Sequence, residues 1–290
     1  MPPKFDPTEI KIDKIAEMPK RKLPEGEKNK ENLEIGWIPK AAEKFYEKYP
    51  ELVKSLQFVG PFRVLNGEIK KSRDNLEIAF LDRFATDLPE MQTFLLTEKG
   101  RYCFWRDFPN QADPLIVFAV NSPATFPDIK IVGNRIEHAI HHGKLAKSLE
   151  DDAKSLEKEM RQCRDARIRA KMGETSHEPG IWVKMKGNVG YRCLFHSAKK
   201  LRVTLEKIAK SQEIDENSQK ILDEEFRHLQ IANDEMDFGM GLELGHLLFL
   251  ANSEKVKSMM MFSMKMAYTF LKRKEFWQIL EETLKIRETL

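Results

Sequence analysis

The chain has 290 residues, 41% of them hydrophobic, enough to build a sizeable core as two modest domains or as one domain with a tail. Its 49 basic residues against 46 acidic ones leave a net charge of +3, short of the basic excess of a dedicated nucleic-acid-binding domain, so DNA is expected to be met only indirectly. No segment approaches the roughly 18 consecutive apolar residues of a membrane span, the start Met1-Pro2-Pro3-Lys4 lacks the apolar block of a secretory signal, and Cys103, Cys163 and Cys193 form no Cys-x-x-Cys pair or even disulfide set; a soluble intracellular protein in a reducing compartment is expected.

Residues 1–35 are rich in Lys, Glu and Pro, with too few apolar side chains to offset the entropy of ordering them, and read as a disordered tail. Pro19-Lys20-Arg21-Lys22 within it is similar to a short basic nuclear-import signal, and equally to a solvated charge run. From Trp37 onward, Ala41, Phe45, Tyr49 and Leu52 recur three or four apart and predict a short helix. Strand signals follow at Leu56 to Val64, at the alternating Leu76, Ile78 and Phe80, and at Thr93 to Thr97, Tyr102 to Trp105, Leu115 to Val120 and Ile129 to Val132. These predict a mainly antiparallel sheet.

After Asn134 the period changes. Leu145, Leu149, Ala153, Leu156, Met160 and Cys163 are spaced for one long amphipathic helix, expected to pack on the monomer rather than form a coiled-coil dimer. Gly173 to Pro179 reads as a loop, and from Ser197 the pattern is helical to the end, through apolar faces at Ile221 to Leu229, Leu247 to Leu250, Val256 to Phe270 and Phe276 to Leu284. The methionines from Met259 to Met266 are expected in the core. The fold class is therefore α+β. An N-terminal mainly antiparallel sheet with helices (36–172) precedes an all-helical C-terminal domain (173–290), after the tail.

Chemistry concentrates at Asn233-Asp234-Glu235-Met236-Asp237-Phe238-Gly239-Met240-Gly241-Leu242-Glu243-Leu244-Gly245, where three acids crowd into four residues before closely spaced glycines. Gly239 and Gly241 disfavour continuation of the preceding helix, so the acids should project from a helix end or tight turn ahead of a helix beginning near Leu242. Such carboxylates can be a solvated loop, caps of that next helix, or a catalytic group; spacing alone does not choose. His138, His141 and His142 have helix-face spacing, read as ordinary helix-surface histidines, and no metal is expected.

The thirteen-residue acidic and glycine block resembles the signature of the histone PARylation factor family. The resemblance extends through Val59-Gly60-Pro61-Phe62, Pro89-Glu90-Met91-Gln92-Thr93, Arg106-Asp107-Phe108-Pro109, Val189-Gly190-Tyr191-Arg192 and Ala267 to Phe276, from about Trp37 to the C-terminus. It implies an accessory factor, not an enzyme by itself, that binds the catalytic domain of a DNA-break-activated poly(ADP-ribose) polymerase and completes its active site. On that resemblance Glu235 is the catalytic base, Asp234 supports the joint, and Tyr191 and Arg192 bind the partner. The factor would need no cofactor of its own, since NAD is bound by the polymerase. It would be a monomer when free, serve serine ADP-ribosylation of histone tails in the DNA damage response, and work in the nucleus on chromatin. Asp234 and Asp237 are expected to make the acceptor side electronegative and to favour serines beside lysine. Two positions depart from the family's pattern for docking the polymerase C-terminus: they are Leu247 and Glu254 here. A plain interaction scaffold and a self-sufficient hydrolase built on Asp234 and Glu235 are the competing readings. Gly239-Met240-Gly241 lacks the strand, third glycine and downstream acid of a dinucleotide site, which disfavours an independent NAD enzyme.

Overall fold

A computed structural model describes residues 36–120, 126–147 and 152–289. The expected tail and its basic cluster lie outside the described residues. Three short helices open the fold: α1 (Lys40–Lys48), α2 (Pro50–Ser55) and α3 (Pro61–Leu65). They precede a four-stranded antiparallel meander of β1 (Met91–Leu96), β2 (Gly100–Trp105), β3 (Leu115–Val120) and β4 (Ile129–Gly133), in the order β1-β2-β3-β4. Every residue of β2 is buried because both sheet faces are covered, which is why these strands read as apolar runs rather than alternations. On one face Phe94 and Phe104 stack at 4.3 Å beneath Phe45 and Phe62 of the opening helices and Phe58 between them. Facing the other way, Trp105 packs on His177 and His246 of the C-terminal part.

Two expected strands are absent. Leu56 to Val64 contributes only a single bridge, Phe58 to Leu95, before Gly60 turns the chain at φ +59 and Pro61 starts α3. A Cβ on Gly60 would stand 2.2 Å from the Thr93 carbonyl, so the turn needs both the backbone freedom and the missing side chain. Leu76 to Phe80 forms a 3-10 turn because the Asn75 side chain accepts from the Glu77 N–H and nucleates it.

Helix α4 (Ile136–Gly143) ends before the expected apolar series begins at Leu145, and α5 (Ala153–Ala170) carries that series from Ala153 to Cys163. Lys144 takes a left-handed conformation and the Leu145 N–H donates to the Ile140 carbonyl, closing α4 just before the apolar series begins. Leu149 lies outside the described residues. Leu156 is buried, and the Arg167 guanidinium clasps both oxygens of Asp107 at 2.6 Å, tying α5 to the end of the sheet.

The remaining helices are α6 (Ala198–Lys210), α7 (Glu216–Asp234), α8 (Phe238–Ala251), α9 (Lys257–Phe270) and α10 (Lys274–Thr289). Ser197 and Asp215 cap α6 and α7 by accepting from backbone N–H groups. Residues Gly239 to Ala251 of α8 are all buried, as expected of a helix that is apolar on nearly every side. Met259, Met260, Met264 and Met266 are core residues, as their spacing implied. The described residues belong to one compact unit whose buried side chains join in a single core from Trp37 to Leu284.

Candidate functional site

Glu235 ends α7, and the ending has a defined chemistry. The Asp237 N–H donates to the Ala232 carbonyl at 2.8 Å and the Met236 N–H to the Asn233 carbonyl at 3.1 Å, the paired bonds of a Schellman terminus. The left-handed position such a terminus requires is filled by Met236 at φ +66, where glycine is usual. Helix α8 then starts at once from Asp237. The break therefore lies within the acids, and Gly239 and Gly241 are helical, contrary to the expectation that they would stop the helix and delay the next one to Leu242. What these glycines provide is room. A Cβ on Gly239 would meet Tyr191 at 2.8 Å and the Gly190 carbonyl at 2.9 Å, and one on Gly245 would meet Met264 of α9 at 2.4 Å.

Residues 190–196 cross the ends of α7 and α8 as a strap without regular structure, held by three inward carboxylates. Asp237, 6% exposed, accepts from the Gly190 N–H at 2.8 Å, while the Gly190 carbonyl accepts from the Gly239 N–H at 2.9 Å. Glu243 on α8 accepts from the Tyr191 hydroxyl at 2.6 Å. Glu225 on α7 accepts from the Phe195 and His196 N–H groups, both at 2.9 Å. Gly190 itself sits at φ +129, which a side chain would resist.

Between these anchors Arg192 projects outward and bonds Glu235 through Nη2, with its Nε 3.4 Å from Asp237. The Glu235 side chain is 53% exposed and that of Asp234 is also exposed, so both face solvent at the helix end. Thus all five residues singled out by sequence meet in one place, but with different orientations. Asp234 and Glu235 point out, Arg192 covers the glutamate from one side, and Asp237 and the Tyr191 hydroxyl point in.

Glu243, inside the acidic and glycine block but without an expected role, is the residue sequence reasoning missed. It is 2% exposed, and its carboxyl is pushed up to about 7. Burial is the main cause, opposed by the Tyr191 hydroxyl, reinforced by Glu225 and Glu174, and opposed by Lys171. The signal available in sequence was a lone acid at the centre of an otherwise apolar helix. Burial and Glu243 together raise the Tyr191 phenol far above its ordinary range.

The two departures from the family pattern lie apart from this end. Leu247 is buried in α8, and Glu254 is exposed beside Lys257 at the rim of a cleft lined by Thr86, Asn252, Met260 and Arg287. His138 is 3.3 Å from Glu159, His142 is 2.9 Å from the Tyr102 hydroxyl, and His141 is 3.7 Å from Glu157. No cluster among the described residues is arranged to hold a metal ion, and no helix there is long and apolar enough to cross a membrane.

The family model of Histone PARylation factor 1 matches residues 25–287. The chain belongs to the histone PARylation factor family. It is 30% identical over 261 residues to Histone PARylation factor 1 of Danio rerio, covering 80% of this chain and 74% of that one. The Mus musculus protein is also 30% identical, over 80% of this chain and 75% of its own, and the Bos taurus protein is 28% identical over 79% and 74%. The matched span contains the whole helix-end site, from Gly190 to Gly245.

Proposed function

We propose that this protein is a histone PARylation factor that docks on the catalytic domain of a DNA-damage-activated poly(ADP-ribose) polymerase and supplies Glu235 as general base for ADP-ribosylation of serine. The observation that carries this reading is a solvent-facing carboxylate at a rigid helix terminus, held by an arginine on a separately anchored strap. A glutamate sealed inside its own fold would be useless to a partner. This one faces outward.

Serine is a poor nucleophile while it keeps its proton. In the proposed step the serine oxygen bonds to the ribose carbon of polymerase-bound NAD as the bond to nicotinamide breaks, nicotinamide leaves with the bonding pair, and the hydroxyl proton passes to Glu235. A carboxylate with an ordinary pKa of about 4.3 is too weak to ionise serine beforehand, so transfer accompanies attack and placement counts more than basicity. General-base assistance of this kind contributes about a hundred- to ten-thousand-fold in rate. The protein needs no cofactor of its own, and the polymerase holds NAD.

Arg192 ties the two assigned roles together. It is the partner-binding residue, and in the free protein it neutralises the catalytic carboxylate. Asp234, exposed beside Glu235, supplies the acceptor-side negative charge and favours serines next to lysine in histone tails, with about 1 kcal/mol from a screened close pair. Asp237 supports from within. The setting is chromatin in the nucleus at DNA damage.

The test is reconstitution of polymerase, broken DNA, NAD and a histone peptide with this protein or its Glu235→Ala variant. Serine modification is expected with the wild type only, while both forms bind the polymerase. Equal modification by the variant would mean a scaffold, and product without polymerase would mean a hydrolase or transferase in its own right.

A further inference from the structure

We infer that Glu243 is a positioning residue for Glu235: through the Tyr191 hydroxyl it fixes the strap that presents Arg192 to the catalytic carboxylate. The inference rests on the role given to Glu235 above and adds a residue to which that role assigns nothing.

The geometry forms an unbroken chain of contacts. Glu243 lies on the same face of α8 as Gly239, one turn further on, so a Tyr191 ring crossing Gly239 reaches it directly. The ring can cross only because Gly239 has no side chain: a Cβ there would be 2.8 Å from the ring carbon Cδ2. At the far end the hydroxyl donates to Glu243 Oε2 at 2.6 Å, a short hydrogen bond. Gly173, at φ +76, closes over this bond, since its Cβ would meet both the hydroxyl and Oε2 at 2.4 Å. The contact is therefore covered.

Tyr191 is flanked by the two residues that matter. Before it, Gly190 is clamped at both its N–H and its carbonyl. After it, Arg192 bonds Glu235 and approaches Asp237. Clamping Gly190 fixes where the strap starts. It does not fix the direction in which Arg192 leaves, because the backbone can still rotate about Tyr191. Anchoring the Tyr191 side chain removes that rotation, so the acceptor on Glu243 sets the direction of Arg192. A buried carboxylate in the middle of an apolar helix is costly, and this contact is a use that justifies it.

The experiment reads Arg192 in the free protein, using the full chain labelled with nitrogen-15 and carbon-13. The exchange rate of the Arg192 Nε–H with water reports how firmly the guanidinium is held. Glu243→Leu and Tyr191→Phe are expected to speed exchange about fivefold or more, the opening factor for losing one buried hydrogen bond. Glu243→Gln, which keeps volume and an acceptor, should restore much of the protection. The Glu235 side-chain carboxyl carbon should shift in the same order. Should Glu243→Leu fail to fold, Tyr191→Phe removes one hydroxyl and carries the same expectation. The inference is overturned if a folded Leu or Phe variant exchanges like the wild type, or if Gln protects no better than Leu. None of these readouts involves the polymerase. An inactive reconstitution would therefore sink the catalytic reading alone, and an unmoved Arg192 would sink the positioning role alone.

Discussion

Replacing Glu243 with glutamine should make the folded protein less sensitive to pH between about 5 and 8. The folded carboxyl is pushed up from an ordinary 4.5 to about 7, chiefly by burial, while Tyr191, Glu225, Glu174 and Lys171 face it from the strap, α7 and the loop after α5. Between about pH 4.5 and 7 the folded chain binds the proton and the unfolded chain has released it. Stability from this group is therefore complete below about pH 4.5 and falls as pH rises towards and past 7. A rise of this size corresponds to about 3 kcal/mol, at about 1.4 kcal/mol for each tenfold change in proton affinity. Glutamine cannot ionise, so the variant lacks that decline. The two proteins should be nearly equal near pH 4.5, and the variant should be more stable at pH 8 by about 2 to 4 kcal/mol. Urea unfolding of both proteins at half-unit intervals from pH 5 to 8 measures the difference directly. Parallel stability profiles would refute the reasoning, because they would mean that the folded and unfolded carboxyls titrate alike and that Glu243 is not held in a dry site.

Other positions give equally direct tests. At Met236 the left-handed backbone disfavours any side chain and a β-branched one most, so Met236→Val should lower stability by about 1 kcal/mol or more while Met236→Gly is neutral or stabilising in thermal melts. Asp107→Asn leaves the Arg167 guanidinium buried without its carboxylate and should cost about 3 to 5 kcal/mol by urea unfolding; a loss under 1 kcal/mol would deny the pair its structural role. Gly239→Ala drives a methyl against Tyr191 and the Gly190 carbonyl, and should cost about 1 to 3 kcal/mol together with faster exchange at the Arg192 Nε–H. A stable variant with unchanged exchange would show that the strap does not depend on this close crossing.

The parts of the fold that were legible in the sequence are those where one period dominates. The four strands of the meander were each placed within a few residues, because short apolar runs bounded by Gly, Pro, Asn and Asp have few alternatives. Helices α7 to α10 followed from their apolar faces. The failures occurred where a single residue's backbone or contact overrode the pattern. Alternation at Leu76, Ile78 and Phe80 is a strand signal, yet one Asn75 side chain turns the segment into a 3-10 helix. A regular heptad-like series began at Leu145, yet the left-handed Lys144 ends α4 just before it and α5 starts at Ala153. Gly60 was legible as an interruption, but its contact with the Thr93 carbonyl, 33 positions along the chain, was not.

The site shows the same division in a sharper form. Composition could say that three crowded acids need a reason, and the reasons differ for each. Glu235 and Asp234 face solvent at the end of α7, whereas Asp237 is spent on the Gly190 N–H and on Arg192. The difference comes from a single left-handed residue, Met236, which reverses the chain between Glu235 and Asp237 so that neighbours two apart face opposite environments. Glycine spacing misled for a related reason. Read as backbone freedom, Gly239 and Gly241 should break a helix; used as missing volume, they let the strap and α9 approach it, and that packing offsets roughly 1 kcal/mol of helix propensity at each. Only a fold that brings residues 190–192 across this helix makes the second use visible. Because the strap has no regular structure, its direction must come from side chains, and the buried acceptors on α7 and α8 are where that information is stored.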